Sequence, residues 1–135
     1  MLEEKGKLIR THRDLEVYRM AFEEAMEIFR LTRDFPAEER YALTGQICRS
    51  SRSVAANLAE AWRRRRYPAA FVQDLNRCEA EAAEPQVWLE FAVKCGYLDR
   101  EKAHDLYEKY DQIIGKLVNM INHPEPFLLT KNNKK

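Results

Sequence analysis

"QICRSSRSVAANLAEAWRRRRYP", residues 46–68, reads as the body and end of one long helix. Ile47, Ser50, Val54, Asn57 and Ala61 recur at spacings of three and four, with Leu58 and Trp62 beside them, and so line one helical face. Four arginines, Arg63 to Arg66, close the stretch. Pro68 then pushes Tyr67 out of the helical region and suits the first position of another helix. One helix following another with so short a connection points to an all-α chain.

The same pattern extends in both directions. Leu43 continues the seam upstream, and Pro36 with Glu38 and Glu39 suits a first helical turn, so this second helix is expected from about Pro36 to about Arg65. Before it, Leu15, Tyr18, Phe22, Ala25, Phe29 and Thr32 form the seam of a first helix. After it, Phe71, Leu75, Cys78, Ala82, Leu89 and Ala92 mark a third, with Gly96 as its stop. Asp99 can cap a fourth whose stripe is Ala103, Leu106, Tyr110, Ile113, Leu117 and Met120. No strand pattern and no internal repeat is visible. Short connections predict an antiparallel up-down-up-down four-helix bundle over 12–122, between a flexible N-terminal segment, 1–11, and a flexible tail, 123–135.

With 135 residues, 33% charged and 45% hydrophobic, the chain suits one soluble domain with a real core. Its net charge is only +1, so attraction to nucleic acid has to come from a local patch. Cys48, Cys78 and Cys95 are odd in number, lie in apolar-periodic stretches and form no CxxC pair. Buried free thiols in a reducing cytosol are the expectation. The first residues lack the apolar core of a signal peptide, and no apolar run is long enough to cross a membrane, so a cytoplasmic protein without a membrane partner is expected.

A four-helix bundle invites a di-iron site, which needs two Glu-x-x-His pairs and two further glutamates pointing inward. Glu101 and His104 make the only such pair, in the polar first turn of the fourth helix. No Ser/His/Asp or Cys/His arrangement and no glycine-rich phosphate loop stands out. Glu60 is expected as a buried structural acid paired with an arginine, and Asn57 as a register-setting buried amide. These patterns predict no enzyme, no cofactor, no metal and no small-molecule substrate.

Several stretches carry a resemblance: "DLEVYRMA" (14–21), "FPAEERYAL" (35–43), "QICRSSRSVAANLAEA" (46–61) and "GYL" (96–98). Over roughly residues 12–122 the chain resembles the 23S rRNA-intervening-sequence proteins, small bacterial four-helix-bundle proteins. More distantly it resembles accessory proteins of diversity-generating retroelements. The resemblance implies a ring-shaped homo-oligomer, a homopentamer, with no established enzymatic activity, and RNA or a nucleoprotein as partner. Departures from the family pattern concentrate in the third helix, at Arg77, Cys78, Glu81 and Pro85. An interior proline costs about 3 kcal/mol, which predicts a kink or break there. Cys48 stands where the family often has arginine, and Ala61 where it has glycine.

The charge pattern supplies the candidate site. Arg49, Arg52, Arg63, Arg64, Arg65 and Arg66 face one acid, Glu60, between residues 49 and 66, a local +5. Between 74 and 90 five acids face Arg77, a local −4. Two readings follow. Either the arginines contact nucleic-acid phosphates, or they cap the helix C-terminus and pair with the acidic third helix, within a self-assembling scaffold, natural or with an altered helix surface, that has no nucleic-acid role. Near neutrality and the adjacent acids favour pairing. At about 100° per residue the run cannot share one face. Arg63 and Arg66 are expected along a packed face, leaving Arg64 and Arg65 to solvent.

Overall fold

The computed structural model describes residues 2–129. Four helices make up most of it: α1 Glu16–Thr32, α2 Leu43–Arg63, α3 Pro68–Lys94 and α4 Arg100–Asn122. Strands β1 (Glu3–Glu4) and β2 (Lys7–Leu8) pair antiparallel ahead of them, Glu3 opposite Leu8. This hairpin corrects the expectation of no strand. Lys5 and Gly6 take positive φ in its turn, so two strands of two residues suffice to reverse the chain, too short for alternation to register. Ile9, just after it, is buried, and at the other end Phe127 packs on Phe71 with ring centroids 6.2 Å apart. Both expected flexible ends therefore carry residues packed on the bundle; 130–135 lie outside the described residues.

Each helix buries the face its periodicity marks, with one exception. Every stripe residue named for α3 and α4 is buried, and Tyr110, Leu75 and Ile113 are wholly so. In α2 the buried face is Leu43, Ile47, Ser50, Val54, Leu58, Ala61 and Trp62. In α1 it is Val17, Ala21, Ala25, Ile28 and Thr32. Phe22 and Phe29, expected in that seam, remain 50% and 37% exposed. The helix carries two apolar stripes side by side, and the core takes the slimmer, largely aliphatic one. Hydrophobic spacing alone ranks neither above the other.

Two further expectations are corrected. The second helix does not begin at Pro36: Ala37–Glu39 form a 3-10 turn and the α-helix starts at Leu43. Ala42 takes φ −121° and ψ −104°, off the helical path, and Glu39 Oε1 accepts from the Leu43 amide at 3.1 Å as the cap. Gly45 lies close under this turn, where a Cβ would meet the Arg40 carbonyl oxygen at a tight 3.1 Å. In α3 the break is absent: the helix runs on through buried Pro85. Packing on the core holds the helix together through the missing hydrogen bond.

The helices are tied pairwise. Thr32 Oγ1 lies 3.5 Å from Cys48 Sγ, Cys78 Sγ donates to the Val54 carbonyl at 3.8 Å, and Gln86 Nε2 donates to the Tyr107 carbonyl and to Asp111 Oδ1 at 3.1 and 2.8 Å. Lys116 and Lys102 of α4 reach Glu16 and Glu27 of α1 at 3.2 and 3.4 Å. α1 and α3 each pack mainly on α2 and α4, which sets them across the core from one another. Phe35, Leu43 and Ala92 make a second small core at one end, with Tyr97 against Phe35 and its hydroxyl donating to Glu39 Oε2 at 2.8 Å. That bond to a carboxylate pushes the Tyr97 phenol up to about 12.

Candidate nucleic-acid interface

The arginine run sits where α2 ends and the chain turns into α3. Arg64 leaves the helical conformation, with φ −110° and ψ 23°, so the regular rotation per residue stops before the last three arginines. That break reverses the expected division of the run. Arg64 reaches Asp74 Oδ2 at 3.4 Å, and Arg77 reaches Asp74 Oδ1 at 3.2 Å. Asp74 is 1% exposed, a carboxylate buried between two guanidinium groups whose outer halves meet water. Arg65 donates through Nε to the Trp62 carbonyl at 2.8 Å and lays its guanidinium 3.5 Å from the centroid of the Trp62 ring. Its Nη1 also reaches the Phe127 carbonyl at 3.5 Å, tying the C-terminal segment to the bundle. Burial, helped by the charge of Arg63, draws its pKa below the ordinary guanidinium value.

Arg63 and Arg66, expected to pack, are exposed and have no acidic partner among the described residues. Arg49 belongs to the α2–α3 seam: it meets Glu84 at 2.8 Å and Glu81 at 3.7 Å. Arg52 turns the other way, to the Phe29 ring at 5.8 Å. The six arginines therefore do not form one patch. Three are held by α3 or the core edge, one lies against α1, and two are open.

The polar residues singled out in α2 are corrected too. Glu60 is exposed and Asn57 half-buried, and neither side chain makes a hydrogen bond among the described residues. Each lies one step from a core position, Leu58 or Ala61, which puts it at the helix edge. The buried acid is Asp74. Its signal was present, because Phe71, Asp74, Leu75 and Cys78 follow the i, i+3, i+4, i+7 spacing of a core face. The thiols also divide: Cys78 is buried, and burial pushes it up to about 12, Cys48 is half-buried and Cys95 is exposed. His104 lies on the surface 3.6 Å from Glu108. Among the described residues no three His, Cys, Asp or Glu side chains are grouped to hold a metal, and no helix is long and apolar enough to cross a membrane.

The model of the 23S rRNA-intervening sequence protein family matches residues 13–119. The chain belongs to that family. A solved structure of a protein of unknown function, from the S23 ribosomal protein family of Bacteroides thetaiotaomicron, is similar at 29% identity and a TM-score of 0.71. The similarity covers 78% of this chain and 95% of that one. Among curated proteins none matches the chain. The residues that carry the family resemblance here have distinct structural work: Phe35, Glu39 and Leu43 build the cap and small core at the start of α2, while Tyr41 is 90% exposed.

Proposed function

We propose that this family member is a non-enzymatic interaction module in the cytoplasm, an up-down-up-down bundle that joins copies of itself into a closed homo-oligomer. One observation carries the reading: α1 holds Phe22, Met26 and Phe29 outside its own core, 50%, 39% and 37% exposed, beside half-buried Tyr18. Clustered aromatic surface of this kind marks an interaction site. The helix pairing described above supports the topology, since Thr32 meets Cys48 while Phe29 lies near Arg52, as neighbours running in opposite directions do. The homopentamer is the ring size implied by the family resemblance. Light scattering on the full chain is expected to give a mass several times that of one subunit. A single-subunit mass at all concentrations would overturn the proposal.

A second reading, contact with RNA or a nucleoprotein, is favoured by one feature: Arg63 and Arg66 stand open beside Tyr67, which is 60% exposed. Two arginines per subunit give a weak patch that a ring would repeat. The double substitution Arg63→Glu and Arg66→Glu is expected to abolish retention on immobilised RNA at low salt with helicity unchanged. Undiminished retention would remove both residues from the contact. Arg64 and Arg65 are the wrong pair for this test, because their substitution takes from Asp74 one of its two arginine partners and from Trp62 the guanidinium on its ring.

A further inference from the structure

We propose that the α1 ridge of one copy seats on the outer face of α3 in the next copy, a head-to-tail contact. It rests on the self-assembling reading above and names the two surfaces involved.

The argument begins with α3, which is apolar on two sides. Its inner face is the buried series from Phe71 to Ala92. Its outer face carries Ala80 and Ala83, both exposed, then Val87 at 45% and Phe91 at 53% exposure. Within a single chain α3 packs only on α2 and α4, which leaves this outer apolar strip uncovered. Phe91 also lines a cleft of about 670 Å³ between α3 and α4, where Leu89, Val93, Ala103 and Tyr107 are joined by Glu90 and by the basic side chains of Lys94 and Arg100.

Shape and charge both match this face to α1. Phe22, Met26 and Phe29 project as large side chains, whereas the outer face of α3 begins with alanines and ends at an open cleft. Arg33 and Arg52 flank Phe29, their guanidinium carbons 5.7 and 5.8 Å from its ring centroid, and neither meets a carboxylate among the described residues. Glu79 and Glu90 flank the outer face of α3, and neither meets a cation among the described residues. Seating Phe29 toward Val87 and Phe91 brings unpaired arginines to unpaired glutamates, which steers the docking and fixes its register.

Position in the bundle sets the symmetry. Because α1 and α3 lie across the core from one another, the two surfaces stand on different sides of the bundle. A contact of unlike surfaces leaves one of each open on every pair of copies, so assembly continues, into a ring where the rotation between copies closes.

The test uses two full-length variants, Phe22→Glu on the ridge and Phe91→Glu on the opposite face. Both positions are exposed, so circular dichroism is expected to show unchanged helicity. Each variant alone is expected to fall to the mass of a single subunit. Mixed one to one, they are expected to form a dimer, since the Phe22→Glu copy keeps a sound α3 face and the Phe91→Glu copy keeps a sound ridge. A mixture that stays at single-subunit mass while the unsubstituted chain assembles overturns the contact and leaves self-assembly standing. So does a Phe91→Glu chain that assembles fully, the result for ridge against ridge. An unsubstituted chain of single-subunit mass removes the underlying reading, and this contact with it.

Discussion

Asp74 shows how a single position controls the meaning of an arginine run. A buried carboxylate without partners is strongly unfavourable, and here two guanidinium groups reach it, Arg64 from the end of α2 and Arg77 from one turn further along α3. The half-exposed arginines stay in contact with water, so the arrangement satisfies the acid without burying the bases. Removing the bases is therefore worse than removing the acid. The double substitution Arg64→Ala and Arg77→Ala is expected to lower unfolding stability by about 3 kcal/mol, the range for stranding a buried charge. Asp74→Ala, which strands nothing, is expected to cost about 1–2 kcal/mol. Urea midpoints of the three chains check the order, and a double variant as stable as the parent would refute the account. The sequence displayed the excess of base and the excess of acid but not their pairing. That pairing depends on the backbone leaving the helix at Arg64, a change of two dihedral angles that no periodicity records.

Between elements, the α1–α4 seam is organised by three glutamates of one helix facing three lysines of the other: Glu16 with Lys116, Glu27 with Lys102, and Glu24 with Lys109 at 3.9 Å. Their titrations oppose one another. A hydrogen bond from Lys5, then one from Lys116, lowers the Glu16 pKa, and a hydrogen bond from Arg30 leads the lowering at Glu27. Burial raises Glu24, only partly offset by Lys109. A lowered carboxyl stabilises the fold above its unfolded value, 4.5, and loses that contribution as pH falls through the folded value. A raised one does the reverse, contributing at low pH and losing it as pH rises through the folded value. Glu16→Gln is therefore expected to lower the melting temperature at pH 7 and to flatten its fall between about pH 5 and pH 3, while Glu24→Gln is expected to raise it at pH 7. Exposed pairs are worth about 0–1 kcal/mol, so shifts of a few degrees are the scale. Thermal melts across that range decide it, and a Glu24→Gln chain less stable at pH 7 would contradict the sign. The helices themselves were legible: the α3 and α4 stripes name their buried faces residue by residue. The start of α2 was not, because Pro36, Glu38 and Glu39 suit a 3-10 turn as well as a first α-turn, and only the Glu39 cap on Leu43 separates the two.

At the scale of the whole molecule, the core was legible but its outer surfaces were not. In α1 the Phe22–Phe29 stripe and the Val17–Ile28 stripe have the same helical spacing, and spacing is blind to whether a face is covered by its own chain or by another. Exposure separates them, and a net charge of +1 offers little self-repulsion against copies meeting through the exposed stripe. If covering those side chains contributes to stability, folding and assembly are linked. Occupying a partner surface at a hundred times its dissociation constant adds about 2.7 kcal/mol. The melting temperature is therefore expected to climb by several degrees when the chain is concentrated about a hundredfold. Phe22→Glu is expected to remove that dependence while changing the dilute-limit melting temperature little, because the residue already faces solvent within its own subunit. Calorimetry over the concentration series measures both. A melting temperature of the parent chain that stays fixed across the series would mean that the α1 ridge is not buried in any assembly coupled to folding.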